Sequence, residues 1–448
     1  MSDLLSIGAS GVKAYQTALT TVSENIANAA TPGYAKRAVD LREVAPAIGI
    51  NAGPVMAGQG VIVGGVTRSA DALRTADVRN SSADLARSDT SVTWLGQIQS
   101  ALTGNTIGDQ LTAFFNSAKT VAADPTASTP RAAMLEQAKT VASSFTATGK
   151  ALDQLDSDLD TTATQAVSTL TTLGAALAKV NDGLARAPAG SNGAAQLADQ
   201  RDSILDQMSA ITDLSVTTDA AGRATVKMGN AGGPTLVSGN VSATVSYARG
   251  SDGTVGYAVT SAQNDTVAVV PSGGALAGFA DGAARIADAR VQLNGIATAF
   301  TTGVNAVQAQ GSNLNGTAGG PIFATGTKAT DISVVLTDGS GIAAAAAGAG
   351  TRDNSNLANL DTLRTTGAFE TKTTALISGN AATLASRQQV ATAQGSIRDN
   401  AVAARDAVSG VNLDAEAVDL LRFQQAYSAS SRVIQVARDT FQSILDIR

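Results

Sequence analysis

Both ends of this chain carry a seven-residue apolar repeat, and that repeat restricts the fold more than any other feature. Leu5, Val12, Leu19 and Ile26 form one row, and Gly8, Tyr15, Val22 and Ala29 form the row three residues on. A seam of this kind belongs to a helix that packs along another helix. At the far end Leu413, Leu420, Tyr427, Ile434 and Phe441 repeat the spacing, joined by Phe423, Ser430, Ala437 and Ile444. Asp414, Glu416 and Asp419 open that segment and Arg438 and Arg448 close it, which suits a helix dipole. At the helical rise the two predicted helices are roughly 39 and 52 Å long. Neither can bury its seam alone, so each needs the other or copies of itself. Thr31-Pro32-Gly33-Tyr34 stops the first helix. Proline pushes Thr31 out of the α region, and Pro-Gly at the centre suits a type II turn.

The stretch between the ends is also mainly helical. Residues 141–184 step by three or four through Val141, Phe145, Thr148, Leu152, Leu155, Leu159, Thr162, Ala166, Leu170, Leu173, Leu177, Val180 and Leu184. This predicts a rod about 65 Å long, with a stutter at Ala166. Helices are also predicted at about 70–103, 192–210, 275–309 and 373–409. One segment changes period. Val241, Ala243, Val245 and Tyr247 alternate, Gly250-Ser251-Asp252-Gly253 turns, and Val255, Tyr257 and Val259 alternate again, which predicts a β-hairpin. With Ala224, Val226 and Met228 before it and Val267 and Val269 after it, the hairpin belongs to a small β unit at 213–272. Residues 311–353 are Gly-, Ala- and Thr-rich and irregular, with a strand expected at Ile332 to Leu336. The fold class is therefore mainly α with a small β insert, in a discontinuous multidomain layout. The expected units are 1–60 with 405–448 (the terminal helices), 61–212 with 273–404 (the helical bundle), and 213–272 (the insert).

Composition removes most chemistry. The 448 residues include neither Cys nor His, so disulfides, thiolates, the usual zinc sites and a Ser-His-Asp triad are excluded. Aromatics make up only 3% of the chain, and small side chains suit slender helical bundles. A net charge of −6 without a cluster of basic residues argues against nucleic acid as a partner. No apolar run approaches the roughly 20 residues of a membrane span, and the first residues do not form a general secretory signal. No cofactor or metal is expected, and the chain is not expected to be an enzyme.

Three motifs invite sharper readings and fail them. Ser10-Gly11-Val12-Lys13 matches S-x-x-K, but its partner motifs are missing and Val12 sits in the seam. Asp153, Asp156, Asp158 and Asp160 lack the Gly and closing Glu of a calcium loop and interleave with Leu152, Leu155 and Leu159, which predicts a solvated helix face. Gly229-Asn230-Ala231-Gly232-Gly233-Pro234 opens no predicted helix and carries no Lys, so it reads as a turn and not as a phosphate cradle.

Two stretches carry a family resemblance. Ser23-Glu24-Asn25-Ile26-Ala27-Asn28-Ala29-Ala30-Thr31-Pro32-Gly33-Tyr34 resembles the N-terminal signature of flagellar axial proteins, within which Asn25, Asn28, Thr31, Pro32, Gly33 and Tyr34 are the motif residues. Near the other end, Asn412-Leu413-Asp414 and Arg422-Phe423-Gln424-Gln425-Ala426-Tyr427 resemble the hook-associated protein 1 family, the first of two junction proteins between hook and filament. The resemblance covers about 40 residues at each end, and the C-terminal stretch is the one that selects among axial proteins.

The resemblance implies a secreted structural protein of the bacterial flagellum, at the hook–filament junction. It implies export through the flagellar type III apparatus without a cleaved signal peptide, and terminal helices paired as a coiled coil. The implied partners are further copies of itself in a ring or helical oligomer, hook protein, the second hook–filament junction protein and a cytoplasmic flagellar export chaperone, with no nucleic acid and no membrane. The assembly seam would be Leu5, Val12, Tyr15, Leu19, Val22, Ile26, Leu413, Leu420, Phe423, Tyr427, Ile434, Phe441 and Ile444. The alternatives are a distal rod or hook subunit, or an adhesin or surface enzyme using the β insert.

Overall fold

In the computed structural model the described residues are 2–31, 33–44, 60–324 and 326–446. The helices are α1 (Ser2–Ala27), α2 (Ala72–Thr103), α3 (Ile107–Ala123), α4 (Ser128–Arg186), α5 (Asn192–Ile211), α6 (Gly274–Gln310), α7 (Ser355–Gly367), α8 (Phe369–Ser409) and α9 (Leu413–Leu445). A hairpin, β1 (Arg37–Glu43) with β2 (Val61–Arg68), follows α1 and straddles the expected boundary at residue 60. The insert forms two antiparallel sheets. One holds β3 (Leu214–Thr218), β4 (Ala224–Met228), β5 (Thr235–Ser238) and β6 (Val241–Ser242). The other holds β7 (Thr244–Arg249), β8 (Val255–Thr260) and β9 (Thr266–Val269), and its β7–β8 pair is the predicted hairpin. The fold is thus mainly α with small sheets.

Two helices escaped the sequence reading, and one of them builds the thickest part of the core. Phe114 and Phe115 of α3 meet Phe300 of α6 with ring centroids 5.4 and 6.0 Å apart. Phe300 also meets Phe323 at 5.3 Å and Phe369 at 5.5 Å. Few aromatics are available, and this end of the bundle collects six of the nine phenylalanines. The other missed helix, α7, is short and buries only Asn356, Leu357 and Leu360.

The rod α4 is longer than predicted, and its seam drifts by one residue. The buried positions run Leu159, Ala163, Val167, Leu170, Gly174, Leu177, Asn181 and Leu184, so Thr162, Ala166, Leu173 and Val180 are displaced from the core face. The β insert causes the shift. Val237 and Ser242 lie over Gly174, where a Cβ would sit 3.6 and 3.8 Å from them. Asn181 is fully buried and donates to Ala224 O at 2.8 Å and Gly239 O at 2.9 Å while accepting from Ala224 N at 2.8 Å. A polar residue at a core position is retained because it completes the backbone of the insert.

The acidic run of α4 is a solvated face only in part: Asp153 and Asp158 are exposed, whereas Asp156 is buried. Asp156 pairs with Arg249 at 3.0 Å and Arg290 at 2.5 Å, Asp153 with Arg290 at 2.8 Å, and Asp160 with Arg249 at 2.7 Å. Tyr247 donates its hydroxyl to Asp160 as well. These arginines come from β7 and α6, distant in sequence, so helical periodicity alone could not reveal them. Burial pushes the Asp156 carboxyl above its ordinary pKa, against the pull of both arginines.

In the irregular segment the expected strand at 332–336 is absent; Val334 makes only an isolated bridge with Phe323. Side-chain amides do the work of a ladder. Asn305 accepts from Ile322 N and Phe323 N at 3.0 Å each, and Gln308 donates to Gly341 O and accepts from Ala343 N. Arg131, nearly fully buried, donates to Pro125 O and Ile342 O at 2.6 Å. One continuous core joins bundle, insert and this segment, and among the described residues none of α1 or α9 belongs to it.

Candidate assembly surface at the paired chain ends

α1 and α9 run antiparallel and touch through very small residues. A Cβ on Gly8 would lie 2.7 Å from Ile434 Cγ1, and one on Gly11 would lie 2.6 Å from Ser430 Oγ. Farther along, the rings of Tyr15 and Phe423 are 6.4 Å apart. On α1 the buried positions are Gly8, Gly11, Ala14, Ala18, Thr21, Val22 and Asn25, since this helix is wedged between α9 and the β1–β2 hairpin. Ser10 serves that wedge: its Oγ accepts from Val61 N at 3.2 Å, so Ser10 acts as a strand anchor.

The expected seam is therefore split. Val22 is buried, whereas Leu5, Val12, Tyr15, Leu19, Ile26, Leu420, Phe423, Tyr427 and Ile434 are half-buried. Leu413, Phe441 and Ile444 are exposed. The cause is length. With Gly8 against Ile434 and Gly11 against Ser430, the C-terminal end of α9, with Phe441 and Ile444, runs past the start of α1.

A second apolar stripe was missed. Val418 and Val436 are 65% and 63% exposed, and Leu421 and Val433 flank them. At 100° per residue this stripe lies on the side of α9 opposite Phe423, Tyr427 and Ile434. The heptad row drew attention to the inner face; the signal for the outer one was its three-residue steps from Val418 to Leu421 and from Val433 to Val436.

The motif residues around the first turn divide into structural and exposed ones. Tyr34 N donates to Thr31 O at 3.2 Å, and Gly33 has φ +79°, as a type II turn requires. Pro32 and Arg448 lie outside the described residues. Asn28 is half-buried and Thr31 is exposed. Asn412 caps α9, accepting from Asp414 N at 3.0 Å and Ala415 N at 3.1 Å. Asp414, Gln424 and Gln425 are exposed, and Ala426 is half-buried.

Asn25 is the centre of a polar node that composition and periodicity did not disclose. Its Nδ2 donates to Arg37 O at 2.8 Å and to Glu416 Oε2 at 3.0 Å. Its Oδ1 accepts from Tyr34 Oη at 2.9 Å and Arg37 N at 3.0 Å. Lys36 Nζ lies 2.8 Å from Glu416 Oε1. The Arg37 guanidinium reaches Glu24 at 3.0 Å and Asp199 at 2.7 Å. Burial raises the pKa of the Tyr34 phenol, which stays a donor. From Asp199 the ion pairs continue along α5: Arg68 bridges Asp199 and Asp202, and Arg79 and Arg405 approach Asp206. Burial also pushes the Asp206 carboxyl up. The arginines that meet Asp199, Asp202 and Asp206 come from four other elements, and no local spacing in the sequence points to them.

Among the described residues no group of three or more acidic side chains could hold a metal ion, and no helix is long and apolar enough to cross a membrane.

Comparisons with known proteins agree with a flagellar assignment. Residues 95–323, more than half of the chain, match the model of the flagellar hook-associated protein FlgK helical domain. Residues 5–34 match that of the flagella basal body rod protein, and residues 406–447 that of the flagellar basal body rod FlgEFG protein C-terminal region. The chain is similar to flagellar hook-associated protein 1 of Salmonella typhimurium, 27% identical over 337 residues, covering 73% of this chain and 60% of that one. The chain thus spans less than two thirds of the Salmonella relative. It is 24% identical to the Escherichia coli protein of the same name over the full length of both. Among solved structures it resembles the flagellar hook junction protein FlgK from Burkholderia pseudomallei, with a TM-score of 0.51 and 25% identity, over 56% of this chain and 47% of that one.

Proposed function

This chain belongs to the flagellar hook-associated protein FlgK family, and on that premise we propose that it is a structural joint at the hook–filament junction of a bacterial flagellum. Its task is mechanical. The helical-domain match favours this junction over the rod, because the rod-type matches at the two ends are short.

The observation that carries the reading is the outward stripe of Val418, Leu421, Val433 and Val436, left uncovered on the face of α9 away from α1. Large apolar side chains left exposed in two pairs on one helix face suit contacts with another chain. In the assembled state α1 and α9 pair as a coiled coil, and the half-buried row of Leu5, Val12, Leu19 and Ile26 joins the outer stripe in packing against neighbouring copies. The layout then divides into a polymerisation unit at 1–60 and 405–448, a bundle at 61–212 and 273–404, and an outer insert at 213–272, with the β1–β2 hairpin crossing from the first unit into the second. Its partners are copies of itself, the hook protein, the second hook–filament junction protein and a cytoplasmic export chaperone. Export proceeds through the flagellar type III apparatus.

Truncation tests this reading. A chain ending at residue 412 retains the continuous core of bundle and insert, and should be secreted by cells that grow no filaments. Normal filaments on those cells would contradict the assembly role of α9.

A further inference from the structure

Two strands of the insert, β3 and β9, each lie at the edge of a sheet and pair on one side only. In the β3–β4 hairpin Asp219 N donates to Arg223 O, and Gly229 N donates to Asp213 O. The alternation of an antiparallel ladder then turns the backbone groups of Leu214, Val216 and Thr218 away from β4. These three residues line a cleft of about 270 Å³, together with Ala72, Ala76 and Arg79 of α2. The charged groups of the cleft are already matched: Arg79 meets Asp206 at 3.3 Å, and Arg201 meets Asp202 at 2.7 Å. Such a cleft suits an uncharged, extended occupant. At the other edge Ser261 N donates to Asp265 O, so Thr266 and Ala268 turn their backbone groups away from β8. Thr266, Val267 and Ala268 are exposed, and β9 carries no charged residue. Natural sheets blunt their edges with charges, prolines or bulges, and a neutral open edge is a template for another chain.

We propose that β9 of one copy pairs antiparallel with β3 of a second copy and fills the cleft beside α2. Charge and size select this occupant. β9 brings no charge to a cleft whose ion pairs are complete. Opposed residues share a face, so Thr266 and Ala268 bring small side chains to the side where Leu214 and Val216 pack on the core. Charge also sets the register. Asp265 opposite Asp219 would oppose like charges, whereas a shift of two residues sets Val216 against Thr266 and Leu214 against Ala268. Because the two edges differ, the contact is head-to-tail and repeats from copy to copy into a ring or a helix. It is made by the insert, apart from the paired chain ends, and does not depend on where the copies assemble.

The chain contains no Cys, so disulfide trapping has no background. In this register Ser215 and Val267 stand directly opposite across the contact, within reach of a disulfide. The experiment mixes purified full-length Ser215→Cys with full-length Val267→Cys at high concentration under a mild oxidant. Pairing holds the two thiols at a high effective concentration, so the mixed dimer should form about tenfold faster than with Ser251→Cys, an exposed control in the β7–β8 turn. Adding Ala268→Pro to the Val267→Cys chain removes an N–H on the open edge and leaves the β8 ladder whole. It should bring the rate down to the control without changing the melting temperature. Equal rates for Val267→Cys and Ser251→Cys would overturn the proposal. So would Val267→Cys chains coupling to one another faster than to Ser215→Cys, which would pair β9 with β9.

Discussion

Ile434 fills the space that a side chain on Gly8 would need at the crossing of α1 and α9: a Cβ on Gly8 would stand 2.7 Å from Ile434 Cγ1. Gly8→Val should therefore push the helices apart where the free end of α1 meets α9. Overpacking of this kind costs about 1–3 kcal/mol. Hydrogen exchange should rise near residues 5–12 and 430–437 and leave the bundle unchanged, whereas an unaltered profile would mean the helices are not held at this distance in solution.

Ile434 also distinguishes the inner face of α9 from its solvent side. Ile434 is half-buried and Arg432 is exposed two residues away. Ile434→Asp must desolvate a carboxylate without a partner, on the order of 3 kcal/mol. Arg432→Asp should cost about 1 kcal/mol or less. Motility and filament length should fail for the first and persist for the second, with secretion normal in both. Equal defects would remove the helix pair from the account.

Asn181→Ala should loosen the insert more than the rod. The substitution strips partners from Ala224 N, Ala224 O and Gly239 O. Leaving such groups buried costs about 2 kcal/mol or more. Limited proteolysis should cut within 219–240 first, while α4 stays intact; resistance equal to wild type would show that Asn181 is dispensable.

The pH dependence of the Asp156 cluster has a definite sign. Burial raises this carboxyl above its ordinary value in the folded state. A raised carboxylate pKa gives stability that is complete in acid and is lost as the pH climbs through the raised value. Asp156→Asn mimics the neutral form, so the variant should gain on the wild type in melting temperature over that climb. The opposite slope would show that Arg249 and Arg290 outweigh desolvation.

Helical segments were legible where a seam is long. The seams of α1, α4 and α9 announced themselves because thirty or more residues, or nearly so, repeat one spacing. The insert was legible through the alternation of Val245, Tyr247, Tyr257 and Val259. What escaped depends on partners remote in sequence. Phe114 and Phe115 make sense only beside Phe300, and Asp156 only beside Arg249 and Arg290. The β1–β2 hairpin escaped because its long connection separates the two strands. Asn25 was singled out by family resemblance, but its role needed Glu416 placed next to it. Phe441 follows the inner row of α9 and is still exposed, because α1 is too short to cover it.

The most direct test of the central claim is to mark this protein on intact flagella. A tag in the exposed turn of the insert at Gly250–Gly253, read by immunogold electron microscopy, leaves both chain ends untouched. The account predicts a single narrow band where the hook meets the filament. Label spread along the filament, along the hook, or over the cell surface would contradict it.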